Sequence, residues 1–362
     1  MNNWKYDIFD GEWSLLNDAR DQLRDLGITV SYFTNICESL TECDTLFLSS
    51  RFFAHTEVTS SYLDQIAKLR LQNENLVWFD MRDSAGTTQF EVLPLVKKYV
   101  KKQFYKDQNF YLTPPYGGRA FTEFYHKKFG VVDDKPYQMH PLDHTQKDKL
   151  ILGWNIGVSS RLAHSRGKGH SFHRISRRLT SEIARFKRSA SKYSKLKPVP
   201  TGIERPINIF AVLGTSYERN TVSFQRTNII KRLASSYNRN CVIGGKMTRQ
   251  DFNRHLVKSK IVISSFGWGE VCYREFEAIW AGAAFAMPDM SGIETWPNIY
   301  DNDRTYIPLA WDLNDIEKKL DWAIDKPDFL HAITDEAQKR LCNTRSQNGL
   351  EDFANKINKL LI

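Results

Sequence analysis

Between residues 207 and 287 the chain repeats one pattern: an apolar run, a turn rich in glycine or serine, then an amphipathic stretch. The apolar runs are 207–213, 241–243, 261–265 and 283–287; the helical stretches are 223–235, 248–259 and 274–281. Gly214 stops the first run, Gly244 and Gly245 the second, and Gly282 follows the last helix. Thr248 is the expected N-cap of the middle helix. Strands that alternate with helices pair in parallel, because each helix carries the chain back along the sheet. The expected fold is therefore a doubly wound α/β unit, whose ligands bind beyond the carboxyl ends of its strands.

The first half shows a looser alternation. Helices are expected over 11–26, 60–71 and 90–106, and strands over 28–33, 45–49 and 76–79. Pro198, Pro200 and Pro206 form a helix-breaking connector between the halves. The expected division is a first α/β unit over 1–198, a second over 199–335 and a helical tail over 336–362, with 362 residues in all. The five cysteines, Cys37, Cys43, Cys241, Cys272 and Cys342, are odd in number and contain no Cys-x-x-Cys pair. That argues for a reducing compartment and against a disulfide framework or zinc site. No apolar run approaches the roughly 18 residues of a membrane span.

The net charge is +9, and it is concentrated. Residues 161–197 hold twelve Lys or Arg and one acid, Glu182, so this stretch alone carries +11. Within it, apolar residues from Phe172 to Leu196 recur every three or four positions, with arginines and lysines between them. Such a basic amphipathic helix over 171–197 fits either an anionic membrane surface or packing on its own domain. It carries no recognisable nucleic-acid motif, and no nucleic-acid partner is expected.

The most informative segment is ISSFGWGEVCYREFEAIWAGAAFAMP, residues 263–288. A strand ends there in a loop, Gly267-Trp268-Gly269, that leads into a helix. Glycines let a backbone approach a ligand, and a helix N-terminus suits phosphate. Arg274 can pair with that phosphate, and Glu277, one turn on, can accept from ribose hydroxyls. Gly214, Arg219 and Arg226 after the first strand, and Lys246 after the second, are further candidates for holding a diphosphate. In the first half, Asp80, Arg82 and Asp83 end an apolar strand, which places two carboxylates where a general base is needed. Helix capping is the ordinary alternative for such residues. Arg119, after Gly117-Gly118, can reach an acceptor. His140 and His144 make no metal set, and Asp80 and Asp83 are too far apart for a DxD motif.

The pattern Arg274-Glu275-Phe276-Glu277-Ala278, followed by Ala281-Gly282 and a small-residue strand, resembles the nucleotide-sugar domain of GT-B glycosyltransferases. The likeness is nearest to exostosin-like and bacterial surface-polysaccharide enzymes. Ser259-Lys260-Ile261, Met287-Pro288-Asp289, Pro297-Asn298-Ile299-Tyr300, Tyr306-Ile307-Pro308 and Trp311-Asp312 continue it, so that it covers about 207–325. The resemblance implies two Rossmann-like domains facing each other across a cleft. It implies a nucleotide-sugar donor, a glycan acceptor on a lipid carrier, and no required metal or cofactor. It also implies a place in O-antigen or capsule assembly at the inner face of the cytoplasmic membrane. Asp80 and Asp83 are then the expected catalytic carboxylates, with Glu270 next in line. Glu270 lies seven residues before Glu277, one short of the spacing in retaining GT-B enzymes, so no stereochemical outcome is assigned. Two other readings stay open: a nucleotide-sugar enzyme such as an epimerase, and a module binding anionic lipid or nucleic acid.

Overall fold

The computed structural model describes residues 12–33, 35–53, 58–158, 197–237 and 240–361, so the basic stretch expected over 171–197 lies outside the described residues except for Lys197. Strand β2 (Leu76–Asp80) anchors the first unit. It pairs in parallel with β1 (Leu46–Ser49) on one side and β3 (Lys98–Lys101) on the other. β5 (Leu150–Leu152) continues the sheet beyond β3. All five residues of β2 are buried. Leu76 and Trp78 point into one hydrophobic core, and Val77 and Phe79 into another. A strand buried on both faces is what helix-covered parallel sheets require.

Two expected elements of this unit differ from the structure. Residues 90–106 do not form a helix. Phe90–Leu95 is a short 3-10 turn containing Pro94, and the chain then enters β3 and β4 (Gln103–Tyr105). Pro94 removes a backbone donor, and the turn ends at Val96 in extended geometry. The 28–33 run is irregular chain and joins no sheet. Helix α1 (Ser60–Gln72) forms as expected, with the Thr59 hydroxyl accepting from Tyr62 N–H. Helix α2 (Ala120–Phe129) lies between β4 and β5 in sequence.

The second unit matches its expected alternation closely. β6 (Ile207–Val212), helix α3 (Asn220–Ser236), β7 (Cys241–Gly244), helix α4 (Arg249–Val257), β8 (Ser259–Ile263), helix α5 (Tyr273–Trp280) and β9 (Ala284–Pro288) follow one another. Thr248 caps α4, its hydroxyl accepting from Asp251 N–H. Gly282 has φ +70°, and a Cβ there would lie 2.4 Å from the Val199 carbonyl oxygen, so only glycine fits where the connector crosses. β10 (Ile293–Thr295) and β11 (Ile307–Leu309) come next. The sheet is parallel throughout, in the order β7-β6-β8-β9-β11. The chain therefore reverses its direction of travel across the sheet between β6 and β8, which is the switch point of an open α/β sheet.

The two units are closely joined. β4 of the first pairs antiparallel with β10 of the second, Ile293 opposite Tyr105. One hydrophobic core holds Trp78, Tyr99 and Phe121 together with Phe266, Phe276 and Phe285. Helix α6 (Ile316–Ile324) precedes α7 (Pro327–Asn343), which runs straight through position 335. Helix α8 (Gln347–Asn358) then packs on the first sheet: Phe353, Ala354, Ile357 and Leu360 share a core with Val77, Phe79 and Trp154. Among the described residues no helix is long and apolar enough to cross a membrane.

Phe353 is fully buried between Trp154 and Trp296, at ring-centroid distances of 5.0 and 5.9 Å. Phe353→Ala should cost about 3–5 kcal/mol of stability, read as a lower midpoint in urea unfolding.

Candidate active site

The switch point gathers the residues best suited to a ligand. Arg226, on the second turn of α3, is 7% exposed. Its Nε donates to the Phe266 carbonyl at 2.9 Å and its Nη1 to the Gly214 carbonyl at 3.2 Å, so it ties the ends of β6 and β8 together. Its guanidinium lies 4.6 Å from the Tyr217 ring centroid. Arg274 opens α5 nearby. Burial and the neighbouring Arg226 charge both push its pKa down. Arg274 Nε and Ser265 Oγ are buried without a hydrogen-bond partner. Bare buried polar groups are rare, and these two flank the loop from β8 to α5, at the carboxyl end of the strand where such sheets bind ligands.

Glu277 is near but engaged: it pairs with Arg249 on α4, not with Arg274. Lys246 is exposed beyond β7, one strand away from the switch point. Glu275 was not singled out by the sequence. It is fully buried at the third position of α5, where it accepts from Cys272 N–H at 2.7 Å and from the Ser264 hydroxyl. Burial pushes its pKa up to about 7, against those hydrogen bonds. Its sequence signal is the capping box, obscured here because cysteine stands where serine or threonine is usual.

The glycine loop has a different task from the one expected. Gly269 is pressed against the first unit, where a Cβ would fall 1.7 Å from the Asp83 carbonyl oxygen. Glu270 is 2% exposed, and its carboxylate accepts from the Ser84 hydroxyl at 2.8 Å, Ala85 N–H at 2.9 Å and the Tyr105 hydroxyl at 3.3 Å. These are groups of the first unit. Glu270 is thus a bolt between units rather than a catalytic acid, and Gly269 meets protein backbone rather than phosphate. Gly267 is packed against Arg226 and Cys272. Trp268 stays 39% exposed at the loop tip.

The two expected catalytic aspartates separate. Asp80 is fully buried: it accepts from the Tyr99 hydroxyl at 2.5 Å, Lys101 Nζ at 2.8 Å and Arg82 N–H at 2.9 Å. Burial alone raises its pKa, but Lys101 and Arg82 outweigh this and hold it below the usual carboxylate range. No substrate reaches it, so Asp80 is a structural ion pair. The side chain of Asp83 is half exposed, 3.1 Å from Lys102 Nζ. Burial opposes ionisation there too, and the Lys102 and Arg51 charges prevail, so the carboxylate is ionised.

Asp83 lines a cavity of about 290 Å³ between the units, with Arg51, Arg82, Arg119, Tyr137 and Trp268 among its other walls. Arg82 Nη1 donates to the Thr88 carbonyl at 2.7 Å. Arg119 is 3% exposed and donates from Nε to the Trp268 carbonyl at 2.7 Å. Burial, reinforced by Arg219, lowers its pKa to about 10. Arg219 does not join Arg226 and Arg274. It lies 3.6 Å from the Tyr137 ring centroid, with Arg119 5.3 Å from the same ring. Its Nε and Nη1 are buried without a hydrogen bond, although Asp133 is 3.7 Å away. Guanidiniums and rings thus run in series from the switch point to the cavity: Arg226, Tyr217, Trp268, Arg219, Tyr137, Arg119. Among the described residues, no group of three or more His, Cys, Asp or Glu gathers as a metal site.

Two predictions follow from the buried acids. Asp80→Asn should destabilise the fold by about 3–5 kcal/mol, because it leaves Lys101 buried and unpaired. Since the folded pKa of Asp80 is depressed, its stabilisation holds above the ordinary value and is lost as pH falls through the depressed one. Glu275 has the opposite sign: stability should fall as pH rises from its ordinary 4.5 towards about 7. Urea unfolding of Glu275→Gln across that window should lack this slope.

No protein-family model matches the chain, and no curated protein sequence matches it. Among solved structures, the phage T4 alpha-glucosyltransferase in complex with UDP aligns with 95% of this chain and 84% of its own, at 10% identity and a TM-score of 0.41. An alpha-glucosyltransferase with UDP and a 13-mer DNA containing a HMU base aligns over 95% and 83%, at 10% identity and 0.40. A glycosyltransferase from Rickettsia africae ESF-5 aligns over 97% and 82%, at 13% identity and 0.42. Likeness at this level leaves the chemistry to be read from the chain's own residues.

Proposed function

We propose that this chain is a glycosyltransferase that moves a sugar from a nucleotide-sugar donor to an acceptor hydroxyl. The observation that carries this reading is the pair of bare buried groups, Ser265 Oγ and Arg274 Nε, at the switch point beside Arg226. Two adjacent guanidiniums repel one another unless an anion lies between them, and a nucleoside diphosphate supplies one. In this reading Arg226 and Arg274 hold the diphosphate, Gly214, with nothing within 4 Å of its Cβ position, allows close backbone approach, and Glu277, beside its Arg249 partner, meets the ribose. The sugar extends past Trp268 into the cavity. The acceptor hydroxyl attacks the anomeric carbon, Asp83 takes its proton, and the bond from that carbon to the diphosphate oxygen breaks. The arginines balance the charge that develops on the leaving group.

On the sequence resemblance we extend the proposal to bacterial surface-polysaccharide assembly. The acceptor is then lipid-linked, and the enzyme works at the inner face of the cytoplasmic membrane, with 171–197 holding it to anionic lipid. No metal or cofactor takes part.

Thermal-shift measurements against UDP, GDP, CDP, CMP and dTDP should single out one nucleotide. Arg274→Ala and Arg226→Ala should each weaken it by about 1.5–3 kcal/mol, the worth of a hydrogen bond to a charged group. Unchanged affinity in both would sink the donor assignment. Asp83→Asn should leave nucleotide affinity intact and lower kcat by about 10²–10⁴-fold. Because the Asp83 pKa is depressed, the acid limb of kcat should lie below the ordinary carboxylate range.

A further inference from the structure

Arg249 stands where a cation is electrostatically out of place. It is the first residue of α4. A helix N-terminus carries partial positive charge and favours acids, so a guanidinium there works against the helix. Its carboxylate partner, Glu277, comes from α5, with Arg249 Nη2 donating to Glu277 Oε1 at 2.5 Å. The Arg249 side chain is 41% exposed, and pairs so open to water add little to stability. Residues that break a local rule without stabilising the fold are expected at functional sites. The surroundings of the pair agree. The Phe252 ring lies 5.1 Å from the Arg249 guanidinium and 5.8 Å from that of Arg274, so one aromatic side chain supports both cations. Glu277 is 12% exposed; its Oε1 is engaged by Arg249, and among the described residues its Oε2 accepts no hydrogen bond. Ahead of α4, Gly244 and Gly245 have nothing within 4 Å of their Cβ positions, which leaves open space past the end of β7.

We propose that Arg249 is a positioning residue for ribose selection: it holds one oxygen of Glu277 so that the other accepts from the 2′- and 3′-hydroxyls of a nucleoside diphosphate. This rests on the donor reading above and gives that site a preference for ribonucleotides over 2′-deoxyribonucleotides. A carboxylate oxygen has two acceptor positions, and a vicinal diol brings two donors. An untethered glutamate loses rotamer freedom when a ligand fixes it. The Arg249 tether makes that loss before the ligand arrives, so more of the hydroxyl contact appears as affinity. Arg249 acts here through Glu277 and not on the phosphates, which stay with Arg226 and Arg274. The 2′-hydroxyl is the group that separates ribo- from deoxyribonucleotides. Of the nucleotides in the thermal-shift screen, dTDP lacks it and should not rank first.

The test is titration calorimetry on the full chain with UDP, GDP and CDP, each against its 2′-deoxy form. The ribonucleotide that binds best should bind about tenfold or more tightly than its deoxy form, as the loss of a hydrogen bond to a charged group predicts. Arg249→Gln should weaken the ribonucleotide more than the deoxy form and bring their ratio below about threefold, because the tether is gone. Arg249→Lys, which keeps the charge, should recover part of the ratio. A packing defect would weaken both forms equally and leave the ratio where it was. Glu277→Gln should lower the ratio as Arg249→Gln does, and the double variant should lower it no further, since both changes remove one unit. An unchanged ratio in Arg249→Gln overturns the proposal. So does tighter ribonucleotide binding in that variant, which would make the ion pair a lock that the ligand has to break, and so does dTDP as the tightest nucleotide. If nucleotides bind with no preference for ribose, the donor reading stands and this inference falls. If none binds, the donor reading falls and takes this inference with it.

Discussion

The Glu270 carboxylate belongs to the second unit by sequence and to the first by every hydrogen bond it makes. A buried carboxylate is tolerated only when its oxygens are satisfied, so the two units must stay in register for this side chain to be stable. Its neighbour Gly269 enforces the same register sterically, since any larger residue would strike the Asp83 backbone. The position of Asp83 is thereby fixed by a residue 186 positions away in the chain. Trp268, Arg119 and the cavity wall take their places from the same contact.

Buried arginines are the second theme. Arg119, Arg219 and Arg226 are all nearly inaccessible, and each leans on carbonyl oxygens or aromatic faces more than on carboxylates. Guanidinium is weakly hydrated and planar, which makes this arrangement less costly than it would be for lysine. The charge is stored rather than neutralised, and it is available to whatever anion enters. Lys101 shows the contrasting use: it is matched to Asp80 inside the sheet and is closed to solvent.

The second unit is readable from its sequence because its first three strands are short apolar runs closed by glycine or serine, and a fourth apolar run follows a helix that ends at Gly282. Periodicity and turn chemistry agree there, so propensity and tertiary fold point the same way. The first unit was less so. Val92, Leu95 and Val96 mimic a helical stripe across 90–106, yet Pro94 and the parallel ladder with β2 draw the segment into a turn and a strand. The switch-point arginines were visible as charges near glycines. What one sequence could not separate was a glycine loop that meets a ligand from one that meets another domain, since both need a small residue at a close approach. Asp80 and Asp83 illustrate the same limit: three residues apart, they occupy opposite electrostatic worlds because Lys101 and Lys102 face opposite sides of one strand end.

The antiparallel pair formed by β4 and β10 is short and stands apart from both larger sheets, but it ties one half of the molecule to the other. Together with the shared aromatic core, it makes a wide hinge opening expensive: the ribbon would have to come unpaired and large rings would have to be wetted. A molecule joined in this way admits a ligand past the tips of its loops. Trp268 and Tyr137 are the large rings exposed at those tips beside the cavity, so the way in is set by two side chains rather than by the swing of whole domains.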